Sequence, residues 1–378
     1  MNNFDDIRPY HDHEVADVLR ELNETPEFIN MLRTYFPFLP LDQMDAIINK
    51  INSKTDMQMA FVKPVLENLV ATITGGLTVS GVDNVRDKSA LLMSNHRDIV
   101  IDPSFLCLSM LQNGIDSAEV AIGDNLLSRE WIMKLVRLNK CFIVKRGLQP
   151  RETLKAFMQL SSYIRYAITE KNQSVWIAQR EGRAKDSNDR TQNSIIKMFA
   201  LSGRDSFIEN ISVLNISPVT ISYEYDPCDY LKAKEFQQKR DNADFAKSKE
   251  DDLLSMQVGI MGKKGRVHYA FSSSINPLLE SLPKELSNKE QAARVCEICD
   301  NRIFSNYVIY PVNRLAYELL TGNNEFASQD TAEERAVAEG YLRGQLAKID
   351  LPNRDDEYLW GKLLEMYANP FINYLSTK

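Results

Sequence analysis

One histidine stands where chemistry could be done. Residues 90–103 read A-L-L-M-S-N-H-R-D-I-V-I-D-P. The apolar run Ala90, Leu91, Leu92 and Met93 is predicted as a buried strand, and His96 follows its end with Asp98 and Asp102 close by. Of the four histidines in the chain, this one alone sits at a strand mouth with carboxylates in reach. Strand ends are where open α/β sheets place their active groups. A neutral imidazole near pH 7 takes a proton from an alcohol, and a carboxylate on its other ring nitrogen fixes the tautomer and stabilises the imidazolium. Asp98 and Asp102 are both candidates for that carboxylate. A capping or core histidine is the plainer alternative.

Two further strand ends are basic. F-I-V-K-R-G places Lys145 and Arg146 just past a predicted strand at Cys141–Val144. W-I-A-Q-R-E-G-R-A-K-D places Arg180, Glu181, Gly182, Arg183 and Lys185 just past another at Val175–Ala178. Such cations suit a phosphate, arginine by bidentate hydrogen bonds, and Gly182 lets the backbone approach a ligand closely. Solvated loop charge is the common alternative. The clusters stand out because 45 basic residues face 52 acidic ones, a formal charge of −7. The same balance argues against a general nucleic-acid binder.

The elements that must position these groups follow from periodicity. Four amphipathic stripes precede residue 75: Val15 to Leu22, Phe28 to Leu32, Met44 to Ile51, and Phe61 to Val70, with a break at F-P-F-L-P, 36–40. From Gly75-Gly76 strands alternate with helices, and residues 211–225 read as a long β-rich run containing Pro218. The expected class is α/β: a layered, mostly parallel sheet flanked by helices, with an N-terminal helical bundle and C-terminal helices. The expected parts are an N-terminal helical domain at 1–74, an α/β domain at 75–280, and a C-terminal helical extension at 281–378. The charged stretch 227–255 is read as a solvated helix or excursion.

Other features carry less. Cys296-x-x-Cys299 has no second pair and reads as structural, so no metal site is expected. His11 and His13 read as a solvated terminus, and His268 as a strand residue outside the chemistry. No Gly-x-Ser-x-Gly elbow is present. Five scattered cysteines suit a reducing compartment. With no signal-peptide pattern and no long apolar run, the expected location is cytoplasmic, with contact to a membrane peripheral at most.

Taken together, the motifs resemble the glycerolipid acyltransferases, especially the soluble plastid-type glycerol-3-phosphate acyltransferases. The first block of that family is Asn-His, four residues, then Asp-Pro. Here N-H-R-D-I-V-I-D-P sets five residues between His96 and Asp102, which leaves Asp98 in play, although Asp102-Pro103 matches the family's Asp-Pro. C-F-I-V-K-R matches the second block, W-I-A-Q-R-E-G-R-A-K the third, and I-S-P-V-T-I-S-Y the fourth. The resemblance spans about residues 75–275.

It implies that His96 is a general base oriented by Asp102 or Asp98. It further implies that Lys145, Arg146, Arg183 and Lys185 bind substrate phosphate, with Glu181 and Gly182 at the substrate. No cofactor is implied. The acyl donor would be an acyl-carrier protein or acyl-coenzyme A, and the acceptor glycerol 3-phosphate or a related phosphorylated glycerol in phospholipid synthesis. The alternatives are a lysophosphatidate acyltransferase and a non-catalytic lipid- or acyl-carrier-binding protein of the same fold.

Overall fold

The apolar β-rich runs pair as one seven-stranded sheet, described in a computed structural model for residues 4–36, 40–127 and 129–378. Most of the F-P-F-L-P break therefore lies outside the described residues. The strands are β1 (Thr74–Ser80), β2 (Leu91–Ser94), β3 (Glu119–Gly123), β4 (Cys141–Val144), β5 (Val175–Ala178), β6 (Ser217–Tyr223) and β7 (Gly265–Phe271). Their order is β1-β7-β6-β2-β5-β3-β4. All neighbouring pairs are parallel except β6 and β7. The expected α/β architecture is present. Parallel pairing has a direct consequence: the C-terminal ends of β2, β5, β3 and β4 emerge along one edge, which brings His96 and both basic strand ends together.

Alternation along the strands divides the core. Leu91, Met93, Val175, Ile177 and Phe142 face one layer, which holds the Pro150–Thr169, Asn193–Ala200 and Asn288–Ser305 helices. Leu92, Trp176 and Cys141 face the other, which holds the Lys63–Ile73 and Ile101–Gln112 helices. The N-terminal stripes form the helices Asp12–Asn23, Pro26–Tyr35 and Leu41–Ile48, then a run from Lys54 to Ile73. That run contains a π-helical segment, Gln58–Val62. These helices pack around Phe28, Phe36 and Phe61 and enclose Leu138 from the Glu130–Leu138 helix. The C-terminal helices Pro311–Thr321, Ala332–Ala347 and Asp356–Leu375 bury a separate cluster that includes Ala233. Cys296 and Cys299 are buried on the Asn288–Ser305 helix.

Two expectations need correction. Residues 211–225 are not one β run: Ile211 closes the Phe207–Ser212 helix, which Ser206 caps by accepting from the Glu209 amide. Asn215 then turns the chain at a left-handed φ of 48° before β6 begins. The sequence S-F-I-E carries this capping box, and the apolar residues beyond it obscure it. The stretch 227–255 is helical, as one of its two readings had it, but it is not wholly solvated. It forms the Asp229–Asp241 and Lys249–Met261 helices, in which Asp229, Lys232, Ala233, Glu235 and Gln237 are buried. Charge misled because the buried charges have partners: Asp229 bonds Tyr341, Gln345 and Tyr367, Glu235 pairs with Lys185, and Lys232 pairs with Asp226 six residues back.

Candidate active site

His96 leaves the end of β2 with its Nδ1 2.8 Å from Asp102 Oδ2. Asp102 lies in the first turn of the Ile101–Gln112 helix and is fully buried. Its Oδ2 also accepts from the backbone amides of Arg97 and Asp98, and Oδ1 accepts from the Tyr223 hydroxyl at 2.7 Å. Because the carboxylate accepts, Nδ1 carries the proton, and Nε2 is left as the basic nitrogen. Nε2 makes no hydrogen bond among the described residues. The five-residue spacing is accommodated by the Arg97–Ile101 turn, whose amides fold back on the two acids.

Asp98 does not reach His96. Its Oδ1 accepts from the amides of Val100 and Ile101 and so closes the start of the following helix. Burial raises its pKa, and the charge of Asp102 adds to this against the opposing charge of Lys264. The Lys249–Met261 helix meets this carboxylate at Gly259, where a Cβ would stand 2.3 Å from Asp98 Oδ2.

The loop is fixed on both sides. The Asn95 carboxamide exchanges two hydrogen bonds with the backbone of Ile221 in β6, at 2.9 and 2.8 Å. On the other side Trp176 Nε1 donates to Ser94 Oγ at 3.0 Å, and its ring stands edge-on to His96 at 5.7 Å. Sequence reasoning missed Asn95, Trp176 and Tyr223. Nothing local in the motif marks the task of Asn95, and Tyr223 lies 121 residues from its acid.

His96 opens on a cavity of about 1110 Å³. One part is apolar, walled by residues such as Val62, Leu66, Leu108, Val120, Leu135 and Val136. Gln58, from the π-helical segment, also lines it, with its side chain tied to Ser117 and Asn139. The other part is polar. Seven cations line the cavity, Lys145, Arg146, Arg180, Arg183, Lys185, Lys232 and Lys247, against the three acids Glu181, Glu235 and Asp252. Asp6 and Asp226 pair with two of these cations from outside the lining, and a net excess of positive charge remains.

The cations differ in what holds them. Lys145 pairs with Asp6 and Arg146 with Glu181. Lys185 pairs with Glu235, whose second neighbour is Lys239 at 3.0 Å. Burial works against the Glu235 charge, but hydrogen bonds from Lys185 and Lys239 more than offset it and hold the carboxyl below its ordinary range. Arg183 has no ion pair among the described residues. Gly182 adopts a left-handed φ of 68° with nothing within 4 Å of a Cβ. Glu181 is exposed, lines the cavity and bonds Arg146. Lys232, Glu235 and Lys247, absent from the sequence expectation, come from the segment between β6 and β7, the first two from the Asp229–Asp241 helix and Lys247 from the loop after it.

Among the described residues no group of three or more His, Cys, Asp or Glu side chains could hold a metal ion. No helix among them is long and apolar enough to cross a membrane. His268 hydrogen-bonds Thr78 and Ser80 on β1, away from the strand ends that carry the site.

Residues 76–221 match the Acyltransferase family model. The chain is also similar to the crystal structure of the 1-acyl-sn-glycerophosphate (LPA) acyltransferase PlsC from Thermotoga maritima. That match has 11% identity, covers 75% of this chain and 93% of the other, and has a TM-score of 0.37. No curated protein matches the chain. The matched segment runs from within β1 into β6 and so contains His96, Asp102 and both basic strand ends.

Proposed function

We propose that the protein moves a fatty acyl group from a thioester donor, acyl-carrier protein or acyl-coenzyme A, to a hydroxyl of glycerol 3-phosphate or a related phosphorylated glycerol. One observation carries the reading: a single cavity is lined by His96, by apolar side chains such as Val62, Leu66 and Leu135, and by seven cations. His96 Nε2 takes the hydroxyl proton as the oxygen attacks the thioester carbonyl. The tetrahedral intermediate collapses with cleavage of the C–S bond, and the proton passes from the imidazolium to the departing sulfur. Asp102 holds the ring and stabilises its charge. The cations seat the phosphate, so that positioning supplies much of the rate.

The test is thiol release from a thioester donor, with glycerol 3-phosphate and lysophosphatidate as acceptors in parallel. Wild-type protein is expected to release thiol with glycerol 3-phosphate, and His96→Ala to abolish release. Release with lysophosphatidate alone would move the acceptor to the 1-acylated compound. A folded His96→Ala protein with near-full activity would overturn the mechanism, and binding without release from the wild type would favour a non-catalytic carrier of the same fold.

A further inference from the structure

Beside the loop that carries His96 lies a group of buried polar side chains that the acyl transfer described above does not use. Arg97 follows the histidine but does not line the cavity. It is buried, and its guanidinium makes no hydrogen bond or ion pair among the described residues. Its Cζ lies 5.9 Å from the centroid of the Tyr307 ring. Asp189, from the loop after β5, is fully buried, and neither carboxylate oxygen has a hydrogen-bond partner. It lies in the field of Arg97, His96, Arg180 and Lys232. Gln179 Nε2 and the Tyr307 hydroxyl are likewise buried and unpartnered.

The backbone brings these groups together. β2 and β5 are parallel neighbours with Ser94 opposite Ala178, and the Gln179 amide donates to the Ser94 carbonyl at 2.8 Å. The loop after β5 then returns to this point. The Gln192 amide donates to the Gln179 carbonyl at 2.9 Å, and Thr191 Oγ1 donates to Gln179 Oε1 at 3.4 Å. Helices hold the loop from outside: the Thr191 amide and hydroxyl donate to Asp300 Oδ1 at 2.8 and 2.6 Å, and Arg190 donates to Asn373 Oδ1 at 3.0 Å. Asp189 is thus fixed by the residues that follow it and not by bonds of its own.

A buried carboxylate with both oxygens unpaired is uncommon and costs stability. Here its charge has a use. Arg97 sets a permanent positive charge one residue from the base, and such a charge in the interior opposes the imidazolium that forms when a hydroxyl proton is taken. Burial works against the Arg97 charge, and the fields of Tyr307, Asp189, Asp226 and Asp102 more than offset it. Asp102 is bonded to His96 and Tyr223, and Asp226 to Lys232. Of these three acids only Asp189 is uncommitted.

We propose that Asp189 is a positioning residue for the proton transfer: its unbonded carboxylate balances the Arg97 guanidinium, so that His96 can take the hydroxyl proton beside a buried arginine. This rests on the acyl-transfer reading above. The other charged and titratable groups facing this arrangement are Asp98 and Asp102 from the turn after His96, Tyr223 and Asp226 from β6 and its end, Arg180, Lys232 and Tyr307. All are left intact in the test.

The experiment titrates His96 by NMR of histidine-labelled protein, with His96→Ala fixing the assignment, and follows the pH dependence of thiol release. It compares the wild type with Asp189→Asn, Arg97→Gln and the double variant. One charge within roughly 10 Å at an effective dielectric constant of 20 is worth about one pH unit. The His96 midpoint should fall by about that much in Asp189→Asn, rise in Arg97→Gln, and return towards the wild type in the double variant. The acid limb of the rate profile should move with it. An unmoved midpoint in folded Asp189→Asn overturns the proposal, as does a fall in Arg97→Gln, which is the deciding variant if Asp189→Asn does not fold. Lost activity in Asp189→Asn with an unmoved midpoint overturns it in favour of a clamp on the loop. If the wild type releases no thiol with either acceptor, the acyl-transfer reading fails and the role in transfer with it, while the midpoints still report separately whether Asp189 balances Arg97.

Discussion

Replacing Asp102 with asparagine separates the charge of the histidine's partner from its shape. Three N–H groups point at Oδ2: His96 Nδ1 and the amides of Arg97 and Asp98. The asparagine carbonyl must take that position, which turns its amide towards the Tyr223 hydroxyl. Tyr223 can accept, because its proton has a second partner in Tyr269, whose hydroxyl lies 3.2 Å away. The ring orientation of His96 therefore survives and the negative charge does not. The carboxylate is fully buried and the imidazole nearly so, which limits screening. Opposite charges about 4 Å apart interact by about 4 kcal/mol at an effective dielectric constant of 20. At about 1.4 kcal/mol per tenfold, that is roughly three orders of magnitude in kcat. The assay is thiol release at saturating donor and acceptor, with the thermal midpoint of each variant measured alongside. Asp98→Asn keeps an acceptor for the amides of Val100 and Ile101, and it should retain far more turnover than Asp102→Asn. A folded Asp102→Asn protein within tenfold of the wild type would refute the reasoning.

Three further outcomes follow from the packing. Burial, with the Asp226 charge second, raises the Asp229 carboxyl to about 7 from its ordinary 3.8, so the folded state holds an extra proton between those values. The stability contributed at this site should fall as pH rises from about 4 through 7, by an upper bound of about 4 kcal/mol, and Asp229→Asn should flatten the dependence of the thermal midpoint on pH. Gly259→Ala forces a methyl group onto Asp98 and should cost about 1–3 kcal/mol in denaturant unfolding. An unchanged midpoint would show that the helix shifts freely. Leu66→Trp narrows the apolar part of the cavity and should shift preference towards shorter acyl thioesters, read as relative rates across a chain-length series.

What could be read from the sequence was what lies close in the chain or repeats along a strand. His96 and Asp102 share one turn, so their proximity needed no tertiary knowledge, although the choice between Asp102 and Asp98 depended on how that turn folds. The basic strand ends were legible because parallel strands deliver their C-termini to one edge. Their partners were not. Asp6 lies 139 residues from Lys145, and Glu235 lies 50 from Lys185 on a helix whose composition looks solvated. Ion pairing between distant segments leaves no periodic trace, and three of the four cations assigned to phosphate, Lys145, Arg146 and Lys185, are already engaged. The wall formed by the Asp229–Asp241 and Lys249–Met261 helices was hidden for the same reason.

Asn95 has a consequence for how the site opens. Its side chain reproduces the donor and acceptor of a peptide group against Ile221, which continues the hydrogen-bond ladder past the last residue of β2. The loop that carries His96 is thereby fastened to the interior of the sheet, and freeing it requires breaking ladder bonds rather than swinging a hinge. Amide exchange at Ile221 should accordingly be among the slowest in the chain, while the helices after β6, held to the cavity by ion pairs, exchange sooner. Charges on the wall formed by the segment between β6 and β7 can therefore be exchanged without disturbing the loop that holds His96.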